Sequence, residues 1–135
     1  QSMTKVKTRS SIGKNNRKKG NLLEQQVARD MRDIGYTFAK TSRQASKLLD
    51  NCQVDLAFIP YNVQTKNGYN SNRPKPDIIF SEMGLLLKQN FPLNDPQHNY
   101  PKILIHKLPE KGTFATITYD FLLTLLKIKF DYEQK

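Results

Sequence analysis

Asp55 stands alone among apolar neighbours in Val54-Asp55-Leu56-Ala57-Phe58-Ile59, and Gln64 and Lys66 follow it nine and eleven residues later. An unpaired carboxylate is costly to bury, so an acid in such a run needs a partner. A divalent cation is one such partner. Gln64 and Lys66 are two residues apart, which puts them on one face of a strand. A turn at Pro60-Tyr61 would fold that strand back on the first and bring Asp55 towards Gln64. A carboxylate oxygen, an amide oxygen and a backbone carbonyl then make a hard, oxygen-rich site. Mg²⁺ suits it, with Mn²⁺ as a substitute, because Mg²⁺ keeps most of its waters and takes few protein ligands. Such an ion activates water and polarises a phosphate. Lys66 beside it would position or deprotonate the water, or offset charge on a scissile phosphate. The competing reading is a partly buried Asp55–Lys66 ion pair with Gln64 solvated on its strand.

Those residues need elements to hold them. Leu23, Val27, Met31 and Ile34 recur at helical spacing and predict an amphipathic helix over residues 20 to 35, with Gly35 as its C-cap. Glu24 lies at the border of its apolar face, from where it can hold a metal-bound water. Tyr36 to Thr41 reads as a short strand, and residues 44 to 53 as polar and irregular with room for a helical turn. Val54 to Ile59 and Asn62 to Lys66 read as two antiparallel strands closed by Asn67-Gly68. A helix follows from Pro76-Asp77 to about Asn90, then strands at Ile103–His106 and Phe114–Thr118. Asp120 is placed to cap a final helix containing Phe121, Leu122, Leu125 and Leu126. The order predicts an α/β (α+β) domain: a central mixed sheet of four to five strands flanked by helices.

The charge balance points to a polyanion. Lys and Arg total 22 against 12 Asp and Glu, a net charge of +10. Residues 4 to 19 hold Lys14, Arg17, Lys18, Lys19 and three further cations with no acid, and read as a flexible basic arm over residues 1–19. Gln1, Ser2 and Met3 read as a tag remnant, and residues 20–135 as a single domain. Arg73 and Tyr69 lie in a polar loop after Lys66 and are candidates for DNA contact; Tyr69, like Tyr61, could stack on a base or sugar, with plain packing as the competing reading. The single Cys52 excludes an internal disulfide and a cysteine-cluster zinc site, and fits a reducing, cytoplasmic setting. No stretch approaches the roughly 18 apolar residues of a membrane span. His106, in an apolar strand, reads as a core or edge residue rather than a ligand.

The order Gly20-Asn21-x-x-Glu24, Gly35-Tyr36, Ser42-Arg43-x-x-Ser46, Val54-Asp55-x-Ala57, Gln64-x-Lys66 resembles the archaeal-type Holliday junction resolvases of the PD-(D/E)XK nuclease superfamily, and their phage-borne relatives more closely. The likeness covers about residues 18 to 67. It implies a restriction-endonuclease-like core, a metal site at Glu24, Asp55 and Gln64, and Lys66 as the catalytic lysine. It also implies contacts from Arg43 and Ser46 to the phosphodiester or the water, Ser42 beside them on the DNA, and a Mg²⁺-dependent homodimer cutting four-way DNA junctions. Two departures stand out. The family usually has Glu where this chain has Gln64, which weakens the pull on a metal. The segment between Ser46 and Asp55 is also longer than expected. Two rivals follow from these features: a restriction- or repair-type nuclease on duplex DNA, and a DNA-binding module that has lost its chemistry.

Overall fold

A computed structural model describes residues 9–68 and 73–135, with side chains from residue 17 onward. The first helix, α1, runs Arg9–Asp33. The expected boundary between arm and helix at residue 20 is therefore absent. Residues 9–19 are helical, while residues 1–8 lie outside the described part. Once the amphipathic half is anchored, each added residue gains one hydrogen bond, which carries the helix through an extension whose Lys and Arg alternate with weaker helix formers such as Ser, Asn and Gly. Its last turn closes as expected: Gly35 takes φ +128°, and the Tyr36 N–H returns to the Met31 carbonyl at 3.0 Å.

Strand β1 is only Lys40–Thr41, shorter than the sequence suggests. The backbone just before it is spent on turns, with Ala39 N–H on the Tyr36 carbonyl at 3.0 Å. Short helices α2 (Ser42–Ala45) and α3 (Lys47–Asn51) follow, α3 supplying the helical turn for which residues 44 to 53 left room. Strand β2 is Leu56–Ala57, and it is cut short by Gln53 and Phe58, both at positive φ. Strand β3 is Asn62–Asn67, α4 is Pro76–Asn90, β4 is Lys102–Leu108 and β5 is Gly112–Ile117. Helix α5, Tyr119–Glu133, is capped by Thr118, whose Oγ1 accepts the Phe121 N–H at 3.2 Å. The expected cap, Asp120, lies inside the first turn instead.

The strands form two sheets rather than one of four to five strands. β1 and β2 pair antiparallel; β3, β4 and β5 form a mixed sheet with β3–β4 parallel and β4–β5 antiparallel. The expected β2–β3 antiparallel ladder is reduced to one backbone bond, from Asp55 N–H to the Val63 carbonyl at 2.7 Å. Two cores hold the layers. Leu23, Val27 and Ala28 of α1 pack on Val63, with Ile103 and Ile105 beside them. Leu49, Cys52, Val54 and Ala57 pack on Met83 and Leu87 of α4. No residue of α5 is buried. Among the described residues, no helix is long and apolar enough to cross a membrane.

Candidate active site

Asp55 occupies the junction of the two sheets. Its N–H goes to Val63, and its carbonyl accepts the Ser42 N–H at 2.8 Å. Its carboxylate Oδ2 accepts the Thr65 backbone N–H at 2.7 Å and the Thr65 hydroxyl at 3.2 Å. A side chain thus takes the place of a ladder carbonyl, because the chain at Gln53 has already turned away at φ 63°. Burial pushes the Asp55 carboxyl up from 3.8 to about 7; the charge of Glu24 adds to this, while the Thr65 bonds and the Lys66 charge oppose it. Asp55 makes no direct ion pair with Lys66 among the described residues, so the simple ion-pair reading does not hold.

Glu24 is buried on α1 and is held by Arg43: Nη2 donates to Oε1 at 3.2 Å and Nε to Oε2 at 3.4 Å. This fork raises the Arg43 pKa further, first through the hydrogen bond to Glu24 and then through its charge. Beside the pair lies a cleft of about 440 Å³ lined by Asn21, Glu24, Arg29, Arg32, Thr41 and Arg43, among others. Arg29 and Arg32 were not singled out from the sequence. Their signal was a spacing of three residues on the polar side of α1.

Gln64 and Lys66 are placed differently from the expectation. Along β3, Val63 packs against α1 and the Asn67 amide donates to the Lys19 carbonyl of α1 at 3.2 Å. Odd-numbered residues therefore face α1. Gln64 and Lys66 pair in register with Leu104 and His106 and face the other side. Gln64 is only 5% exposed, so it is not solvated, and its Oε1 has no hydrogen-bond partner. Glu24 and Gln64 thus do not share a face, although Asp55, at the strand edge, feels the charges of both Glu24 and Lys66. His106 lies on the central strand β4 with its side chain satisfied, its Nε2 2.8 Å from the Gly68 carbonyl.

The remaining sequence candidates fall into three groups. Ser42 is buried, and its backbone positions Asp55, so it does not present itself to a phosphate. Ser46 is the N-cap of α3, its Oγ accepting the Leu49 N–H at 3.2 Å. That bond and its place in a second cleft separate it from the Asp55 site. Arg17, Lys18 and Lys19 are exposed on α1, and Arg73 is exposed before α4. Lys14 is helical with its side chain outside the described part, and Tyr69 lies outside the described residues altogether. Thr65 was missed; as the middle residue of Gln64-x-Lys66 it looked like a spacer.

The donor set can be tested against a metal. Among the described residues, no three His, Cys, Asp or Glu side chains assemble a cation site. Mg²⁺, however, is commonly held by one or two carboxylates plus substrate phosphates. The Asp55 carboxyl is made less acidic first by burial and then by the charge of Glu24, and a cation bound there would offset both. Asp55 with Glu24 nearby fits the ion; Gln64, on the opposite face, does not join Glu24 in it. Comparison with protein-family models, curated protein sequences and solved structures gives no match.

Proposed function

We propose that the chain is a divalent-metal-dependent DNA endonuclease that acts on branched DNA as a homodimer in the cytoplasm of a bacterial or phage-infected cell. The observation that carries this reading is the buried Asp55 carboxyl, which feels the charge of Glu24, itself a wall of a cleft lined by Arg29, Arg32 and Arg43. Mg²⁺ or Mn²⁺ held at Asp55, with Glu24 in support, would supply a polarised phosphate and an activated water. The three arginines bind and orient the phosphodiester. Glu24 fixes the Arg43 fork. Thr65 fixes the Asp55 carboxylate. Lys66 acts on Asp55 through its charge, favouring the ionised form that a cation needs. The preference for branched DNA rests on the motif order alone.

Helix α5 supports the dimer. Leu122, Leu123, Leu125, Leu126, Ile128 and Phe130 are all exposed on it, along with Tyr119 and Tyr132. Its charged residues are Asp120, Lys127, Lys129, Asp131 and Glu133, so it is not basic and suits neither DNA nor an anionic membrane. Burying most of these side chains would cover on the order of 800 Å² per protomer, the size of a standard interface.

One finding favours a second reading, a DNA-binding module without cleavage: Gln64 and Lys66 face away from Glu24. A labelled four-way junction and a linear duplex, each with and without Mg²⁺ or Mn²⁺, separate these readings. Metal-dependent cutting of the junction, lost in Lys66→Ala while binding persists, supports the resolvase. Cutting of both substrates supports a restriction- or repair-type enzyme. Salt-sensitive binding with no cleavage in either metal sinks the catalytic reading.

A further inference from the structure

Phe58 is anomalous twice over. Its backbone sits at φ +66°, a region where a bulky side chain is rare and strained. Its ring is 61% exposed, although its neighbours Ala57 and Ile59 are both buried. The two buried neighbours pin the chain on either side, so the strain serves to turn an aromatic ring out into water. Neither the core nor the Asp55 site gains from this. Strain of this kind persists where surrounding structure enforces it, and it concentrates at binding sites.

What lies beside the ring narrows the ligand. Phe58 borders a cleft of about 500 Å³, with Ser46, Pro60, Gln97 and Tyr100 among its walls. Gln97 is locked in place: its Nε2 donates to Asn62 Oδ1 at 2.6 Å, and Asn62 Nδ2 returns to the Gln97 carbonyl at 2.9 Å. That leaves the Gln97 Oε1 as an acceptor with no hydrogen bond among the described residues, and the Tyr100 hydroxyl is likewise unengaged. An exposed aromatic face beside a fixed amide oxygen and a phenol is a chemistry that stacks a flat heteroaromatic ring and hydrogen-bonds its edge. On a chain of net charge +10, the ligand carrying such a ring is a nucleic acid.

We propose that Phe58 and the Gln97–Tyr100 cleft form a site for a single unpaired nucleobase, held by stacking on Phe58 and by contact with the Gln97 amide. The site rests on the nucleic-acid part of the function proposed above and is independent of cleavage. It engages only DNA in which a base can leave its helix, such as a branch point or an end. Paired duplex offers it no free face.

The test uses the full chain without added metal, so cleavage plays no part in the readout. The probe is a junction-forming oligonucleotide with 2-aminopurine at an unpaired position beside the branch, and the control is a fully paired duplex. Binding by the wild-type chain should quench the probe. Phe58→Gly should weaken binding to the branched probe by roughly 5- to 100-fold and abolish the quench, leaving duplex binding unchanged. The same substitution should raise the Tm by a few degrees, because glycine accepts positive φ without strain. Phe58→Tyr should retain binding and quench. Loss of affinity for branched and paired DNA alike would overturn the proposal, as would an unchanged quench in Phe58→Gly. A fall in Tm for Phe58→Gly would also overturn it, since it would make the ring a packing residue.

Discussion

Replacing Asp55 by Asn separates the charge of this carboxyl from its hydrogen-bonding role. Asn keeps an oxygen to accept the Thr65 N–H, so the junction between the sheets survives. The wild-type carboxyl is raised from 3.8 to about 7 by burial and by Glu24. Its neutral form is therefore favoured in the folded state. The stability gained from protonation is fully present below about pH 4 and is lost as pH rises through about 7. Moving a carboxyl over that interval penalises the ionised form by at most about 4 kcal/mol. For a chain of 135 residues, each kcal/mol moves the Tm by roughly 3 to 4 °C. Metal-free Asp55→Asn should match the wild type at pH 4 and exceed it by several degrees at pH 8, with thermal melts followed by circular dichroism. Mg²⁺ should then raise the wild-type Tm at pH 8 and leave the variant unmoved. A variant less stable than the wild type by the same margin at both pH values would refute the reasoning, because the carboxylate would then already be compensated.

Three other outcomes follow from the same geometry. Arg43→Ala should leave Glu24 buried without its partner and cost about 1 to 3 kcal/mol in urea unfolding, an effect that Glu24→Gln in the same chain should largely remove. Replacing Arg17, Lys18 and Lys19 by Ala should flatten the slope of log K against log salt by about 3 without altering preference among DNA sequences. Leu126→Asp should convert a dimer to a monomer in light scattering and leave the far-ultraviolet spectrum intact, since no residue of α5 is buried.

The sequence carried the parts that depend on local pattern. The apolar spacing of Leu23 and Val27, the Gly35 cap, and the α4 start at Pro76 all lie where periodicity and helix signals place them. Asp55 as an acid in need of compensation was also readable, because six residues of context sufficed. What was not readable depends on long-range pairing. The parity of β3 was predicted correctly within the strand, but which face met α1 was decided by Val63, Ile103 and Ile105 packing on that helix. Nothing local to Gln64 or Lys66 records that choice. The Arg43–Glu24 fork spans nineteen residues, so nothing local to Arg43, read through the resemblance as a contact to the phosphodiester or the water, marks Glu24 as its partner. Phe58 read as one more apolar residue in a run, because positive φ leaves no mark on residue type unless the residue is glycine.

The bond from Thr65 N–H to Asp55 Oδ2 has a practical consequence. A backbone proton in the middle of a strand points at the carboxylate that joins the two sheets. Its resonance in a ¹⁵N-correlated spectrum is thus a built-in gauge of that oxygen. Protonation, ion loading or substrate approach at Asp55 will each shift the Thr65 amide signal, and its hydrogen-exchange rate will report how often the two sheets part.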